Sequence, residues 1–294
     1  MPLRGRAGPR NLARAEAGQV IDTCETMKPG TMQVLCIHHL LLSEYGDRSW
    51  QPDDPVETLV SAILSQNTND VNRDRAYERM RERFPTWEAV RDAPVKELVE
   101  VISPAGLAQT KAPRIQEALR RIVAEQGEIS LDFLADLPLE EARAWLTSIP
   151  GVGPKTAAIV LLFALGRPVF PVDTHIHRLS RRLGLIPQQA TREQAHELLE
   201  ALVPPEIYYP FHINLITHGR AVCHAQRPEC MRCILQEHCA YFASGGRGSA
   251  TRDQGSGVRD QLPGTKRGTA NAYRPTDRSL QAGDQRGDQL CLSP

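Results

Sequence analysis

The chain has 294 residues, 41% of them hydrophobic, and its 35 Lys and Arg balance 35 Asp and Glu. That length can bury one large core or two modest ones. The most apolar run, Ile159–Leu165, is too short to cross a bilayer and the N-terminus holds no apolar run of signal-peptide length, so a soluble intracellular protein with no membrane partner is expected. Zero net charge excludes a broadly cationic surface; residues 31–240 carry 22 basic against 27 acidic residues, so a polyanionic partner must be held by local donors.

Residues 1–30, rich in Gly, Pro, Ala and Arg without sustained periodicity, read as a disordered tail. Apolar residues then recur at helical spacing over 31–45, 55–65, 69–83, 94–102, 110–125, 138–148, 154–165, 173–183, 191–202 and 206–218. Breakers fall between these segments, among them Pro52 and Pro55, Pro85, Pro94, Pro104 with Gly106, Gly127, Pro138, Pro150 to Gly153, Gly166 with Pro168, and Pro204 with Pro205. Residues 244–294, dominated by Gly, Ser, Arg, Asp, Gln and Thr, read as a second disordered tail. No strand alternation interrupts the pattern, and the predicted fold is an all-α globule of short helices.

Between two of these helices, Ile149-Pro150-Gly151-Val152-Gly153-Pro154-Lys155-Thr156-Ala157 forms a loop whose glycines remove the steric cost of positive φ. Pro154 suits a first helical turn, so the amides from Val152 to Lys155 are expected to face outward at a helix N-terminus, where they bind phosphate without a basic surface. The bland alternative is a simple turn between packed helices. The chain uses only five lysines (Lys28, Lys96, Lys111, Lys155, Lys266) among 35 basic residues, so Lys155 at this spot stands out. The positive end of a helix dipole disfavours an ammonium and helps supply the neutral amine that nucleophilic attack requires. Eighteen residues later comes Pro171-Val172-Asp173-Thr174-His175-Ile176-His177-Arg178-Leu179, where Asp173 and Thr174 suit the cap of the following helix. Capping alone would account for the aspartate.

Four cysteines, Cys223, Cys230, Cys233 and Cys239, fall within seventeen residues, while Cys24, Cys36 and Cys291 are scattered. In a reducing compartment such clustering indicates thiolates around one metal centre, and their spacing alone allows tetrahedral zinc or an iron-sulfur cluster.

Pro-Gly-Val-Gly-Pro-Lys-Thr-Ala resembles the helix-hairpin-helix of the endonuclease III superfamily of DNA glycosylases. Val-Asp-Thr-His resembles a segment of the same superfamily, and the cysteine intervals of six, two and five resemble those of its cluster-bearing members. The three motifs occur in the family's order over roughly residues 30–240. The resemblance implies a two-lobed all-α fold, with residues 54–166 as the hairpin-bearing lobe and residues 31–53 with 167–240 as the cluster lobe. It implies that Lys155 attacks C1′ of a damaged nucleotide to give an imine, that elimination then cuts the strand, and that Asp173 faces the lysine across the cleft. It implies a 4Fe-4S cluster on the four cysteines, structural rather than catalytic.

Double-stranded DNA carrying a damaged base or an abasic site is the implied partner, and a monomer is expected, cytoplasmic in a bacterium or nuclear in a eukaryote. Gly151, Val152, Gly153 and Thr156 of the hairpin would hold its backbone. Leu64-Ser65-Gln66-Asn67-Thr68-Asn69-Asp70 resembles the stretch facing the flipped nucleotide, which places Gln66 and Asn67 at DNA. Ala105-Gly106-Leu107-Ala108 resembles the loop that inserts a wedge, here Leu107, and His175 is counted with the DNA contacts rather than the catalysts. Gln66-Asn67 stands where alanine and glutamine are usual, and Thr147-Ser148 where glutamate and alanine are familiar, so the base is not fixed. Oxidised or ring-saturated pyrimidines are the default; mismatched thymine, uracil and methylated cytosine stay open. A monofunctional glycosylase using water, and a non-enzymatic DNA-binding iron-sulfur module, are the two rivals.

Overall fold

The computed structural model describes residues 29–246. The expected tails lie outside the described residues, except that residues 29–30 open the first helix and 244–246 close the last turn. Twelve helices follow in order: α1 Pro29–Tyr45, α2 Pro55–Leu64, α3 Asp70–Arg83, α4 Trp87–Asp92, α5 Val95–Val101, α6 Ala108–Gln126, α7 Leu139–Thr147, α8 Pro154–Ile159, α9 Thr174–Leu183, α10 Arg192–Leu202, α11 Tyr208–Ala221 and α12 Ala240–Ala243. Among the described residues there is no strand. Every helical segment expected from periodicity contains a helix. The two additions, α4 and α12, have six and four residues, too few to develop a periodic signal.

Side-chain caps fix where several helices begin. Asp54 accepts from the Glu57 amide with Pro55 next in line, Asn69 accepts from Asn72, Thr86 from Ala89 and Asp173 from Ile176. Thr191 and Gln194 form a reciprocal capping box at α10.

The helices enclose two hydrophobic cores. The first gathers α2 to α8 around residues such as Leu59, Ile63, Met80, Ile115, Leu119 and Leu161; the second gathers α1 and α9 to α11 around Ile37, Leu41, Phe170, Leu179, Phe211 and Leu215. The chain passes between them through a feature that periodicity did not foretell: α8 widens into a π-helical turn at Val160–Ala164. Val160 and Leu161 belong to the first core, while Leu162 and Phe163 belong to the second. The extra residue per turn rotates consecutive side chains toward different cores, and such turns are frequent at functional sites.

Polar struts tie the lobes together. Arg143 of α7 meets Glu200 of α10 at 3.0 Å, and Glu200 also accepts the Phe170 amide at 3.0 Å. At the mouth of the interlobe cleft, Arg220 of α11 meets Asp70 of α3 at 2.6 Å. Within the first lobe, Lys111 is 1% exposed, and its ammonium donates to the carbonyls of Leu64 at 2.7 Å and Ala105 at 2.8 Å. It thereby joins the end of α2 to the turn before α6, the two segments that resemble the nucleotide-facing stretch and the wedge loop. No helix among the described residues is long and apolar enough to cross a membrane.

Candidate active site

A cleft of about 670 Å³ opens between the lobes, lined by α2 and the loop after it, the start of α8, the π-turn, the start of α9, and α10 and α11. Lys155 and Asp173 both line it. Lys155 is the second residue of α8, which begins at Pro154. Among the described residues its Nζ has no hydrogen-bond or ion-pair partner. Burial pushes its pKa below the ordinary lysine value; the carboxylate of Asp173 opposes that shift through space, and the Arg73 guanidinium reinforces it. A desolvated amine lacking a direct counter-ion is a competent nucleophile.

Asp173 caps α9, with Oδ1 accepting from the Ile176 amide at 2.7 Å. The cap aims the carboxylate at the cleft. The cap uses Oδ1, and the same residue lines the cleft, so capping does not withdraw it from the cavity. His175 lines the same cleft, with Nδ1 3.1 Å from an Arg178 nitrogen. Burial lowers its pKa.

The hairpin loop differs in two respects from the sequence expectation. Gly151 adopts φ +86°, but Gly153 is extended at φ −94°, so only the first glycine answers a need for positive φ. Val152 is 4% exposed and packs in the first core, and its amide donates to Ile149 at 3.0 Å. It supports the hairpin instead of offering a donor to phosphate. Gly151 and Gly153 are exposed, while Thr156 is buried and lines the cleft.

Gln66 bridges to the hairpin, donating to the Gly151 carbonyl at 3.0 Å while Arg114 approaches its Oε1 at 3.5 Å. Asn67 beside it is exposed, and Leu107 is 57% exposed. Only three non-glycine residues among those described have positive φ, and two are Asn67 at 52° and Leu107 at 50°; the third is Arg227. Strained backbone of this kind concentrates where a side chain must be presented rather than packed.

The four cysteines line a separate small cavity with Arg182, Tyr241 and Phe242. Arg182 donates to Cys223 Sγ at 3.2 Å and the Leu235 amide to Cys233 Sγ at 3.4 Å, donors that suit thiolates. Among the described residues, no three His, Cys, Asp or Glu side chains converge on a site for a single ion. Polar residues in and beside the cysteine loop are paired: His224 and Arg232 with Glu229, at 3.2 and 2.5 Å, and Arg220 with Asp70.

Residues 60–205 match the family model of HhH-GPD superfamily base excision DNA repair proteins. Endonuclease III of Thermotoga maritima is 34% identical over 201 residues, 68% of this chain and 90% of that protein. The chain belongs to the HhH-GPD superfamily. The DNA glycosylase/AP lyase ROS1 of Arabidopsis thaliana is 32% identical over 198 residues, 60% of this chain but 14% of that much longer protein. Among solved structures, a trapped endonuclease III–DNA covalent intermediate superimposes with a TM-score of 0.63 at 27% identity, covering 74% of this chain and 99% of that one. Against this HhH-GPD framework, sequence reading gave no role to Arg73, Asp70 and His212, which line the cleft, or to Lys111, which ties together two segments of the first lobe. Lys111, His212 and, through Arg220, Asp70 act by contacts between segments distant in the chain, and no local pattern marks them.

Proposed function

We propose that this base-excision DNA glycosylase removes an oxidised or ring-saturated pyrimidine from double-stranded DNA and cleaves the resulting abasic strand through a Schiff base on Lys155. The observation that carries the reading is a desolvated lysine without an ion-pair partner, in a cleft that also holds the Asp173 carboxylate. Lys155 Nζ donates its lone pair to C1′, and the C1′–N bond breaks with its electrons leaving on the base. Asp173 stabilises the positive charge that develops on the sugar and helps take the proton that Nζ loses. Ring opening gives an imine; loss of a C2′ proton then expels the 3′ phosphate by β-elimination and breaks the strand.

DNA would be gripped by the exposed hairpin around Gly151 and Gly153, with Asn67 and Leu107 filling the space left by the flipped nucleotide. A neutral chain can manage this because backbone amides at a helix start, not a cationic face, meet the phosphate. Cys223, Cys230, Cys233 and Cys239 would hold a 4Fe-4S cluster. Four thiols around one cavity and N–H donors to two of them support a thiolate-ligated centre, and the six-two-five spacing shared with cluster-bearing members of the superfamily favours the cluster. When bound, it crosslinks the loop.

The test is borohydride trapping on a duplex with one abasic site. Wild-type protein should give a covalent band that Lys155→Ala loses. Release of base without any trapped band, and with strand breaks appearing only after heat or alkali, would instead support water activated by Asp173.

A further inference from the structure

Of the buried polar side chains that line the cleft, Thr58, Arg73, Thr156, His196 and His212, none carries a carboxyl group and only Arg73 carries a fixed charge, which it spends on Asp70 and Asp74. His212 is 1% exposed. Its Nδ1 lies 3.0 Å from the Pro171 carbonyl, which can only accept, so Nδ1 carries the hydrogen. Burial holds the ring's pKa down at about 4, and the imidazole is therefore neutral with a lone pair on Nε2. Nε2 has no partner among the described residues, yet it is not among the buried polar atoms sealed from solvent. The open space this residue borders is the cleft, and Asp173 and Lys155 are the two charged groups it feels most. A hydrogen-bond acceptor with an unused lone pair thus opens beside the catalytic pair. His196 is also turned by a main-chain carbonyl, that of Phe170 at 3.1 Å, but the charges around it are Glu200, Arg143 and Glu193.

We propose that His212 is the specificity-determining residue of this cleft, accepting at Nε2 the N3–H of an imide-type pyrimidine, a 2,4-dioxo ring such as uracil, thymine or their oxidised and saturated derivatives. The proposal rests on the glycosylase reading above and narrows its substrate. Two features select the imide. An acceptor on the floor attracts N3–H and repels the bare ring nitrogen that cytosine or adenine presents at its pairing edge. The floor also offers no ready acid: Thr58 and Thr156 are hydroxyls, the Arg73 guanidinium is paired with Asp70 and Asp74, and burial lowers the pKa of both histidines. A base leaving here carries off the C1′–N electrons with no proton donor on the floor beneath it. An imide ring does so by spreading the charge into its carbonyl groups, whereas amino-bearing bases leave readily only after ring protonation.

The experiment measures single-turnover base release from duplexes carrying uracil or 3-deazauracil, in which a C–H replaces N3–H. The ratio of the two rates is taken within each protein, so that partial loss of folded enzyme cancels. Relative to wild type, the ratio should fall by about tenfold or more in His212→Leu and be largely kept in His212→Gln, whose amide oxygen reaches the position of Nε2. An unchanged ratio in the leucine variant overturns the proposal. So does a wild-type enzyme that is trapped on an abasic site but releases cytosine-type bases and no imide. Absence of a trapped wild-type complex would sink the lyase reading instead, leaving the base-release ratio to judge His212.

Discussion

Alanine at Gly151 and alanine at Gly153 are expected to damage different properties, although the two positions share one short loop. Gly151 has φ +86°, and a Cβ there would lie 2.5 Å from Arg114 Cδ and 2.8 Å from its Nε. A left-handed conformation costs an alanine about 1–2 kcal/mol, and Arg114 must also swing out of its contact with Gln66. A loss of about 2 kcal/mol follows, which in a domain of this size lowers the melting temperature by roughly 4–8 °C. Gly153 has ordinary φ and nothing within 4 Å of an added Cβ. The poorer cap and the stiffer unfolded chain offset each other to within about 0.5 kcal/mol. The added methyl instead projects from the exposed loop, where a phosphate would approach the amides. Gly153→Ala should therefore melt with wild type but bind an abasic-site duplex more weakly, whereas Gly151→Ala should melt early. Thermal denaturation and a binding titration at fixed salt decide it. Equal melting losses in both variants, or full DNA affinity in Gly153→Ala, would refute this account of the hairpin.

Asp173→Asn should keep the cap of α9, because asparagine caps as well as aspartate, so the melting temperature should hold while trapping slows. Asp173 favours the ammonium form of Lys155. Removing its charge lowers the lysine pKa further, and the acid limb of the trapping rate should move to lower pH; a shift to higher pH would contradict the electrostatics. Lys111→Met leaves the carbonyls of Leu64 and Ala105 without their donor and should cost about 2–4 kcal/mol, read by chemical denaturation. Oxidative removal of metal with a chelator should bleach the protein and lower its melting temperature together; bleaching at constant stability would argue against a crosslink.

What the sequence shows plainly is what depends on neighbours a few residues away. Caps at Asp54, Asn69, Asp173 and Thr191 are side chains reaching three residues forward, and the amphipathic stripes of α6 and α10 need only a constant period. Lys155 and the cysteines were visible because short strings surround them. Hidden were the effects that need the folded chain. Val152 looked like a phosphate donor until the hairpin turned its amide inward. Gly153 looked like a residue bought by positive φ, although extended backbone serves. Lys111, one of five lysines, gives no sign that it is the anchor of two loops 41 residues apart. His212 reads as one more polar residue on an apolar helix, and its role depends on a carbonyl at Pro171 and on a cleft built by the other lobe.

Helix α9 connects the chemistry to the cysteine loop. Its cap is Asp173; within it, Arg178 donates to the carbonyls of Gly219 and Cys223, and Arg182 to those of His224 and Ala225 as well as to Cys223 Sγ. Ten helical residues span about 15 Å, so a metal centre at the far end is too distant to touch a reacting sugar. It can still govern where the carboxylate stands. The loop has little apolar core of its own, Leu235 being its one fully buried aliphatic side chain beyond Val222, and without a crosslink its carbonyls would hold the arginines only loosely. Displacing a catalytic group by about 1 Å can cost a hundredfold in rate. A metal centre held by this loop would thus matter to base removal without taking part in it, through the rigidity of the loop against which α9 is braced.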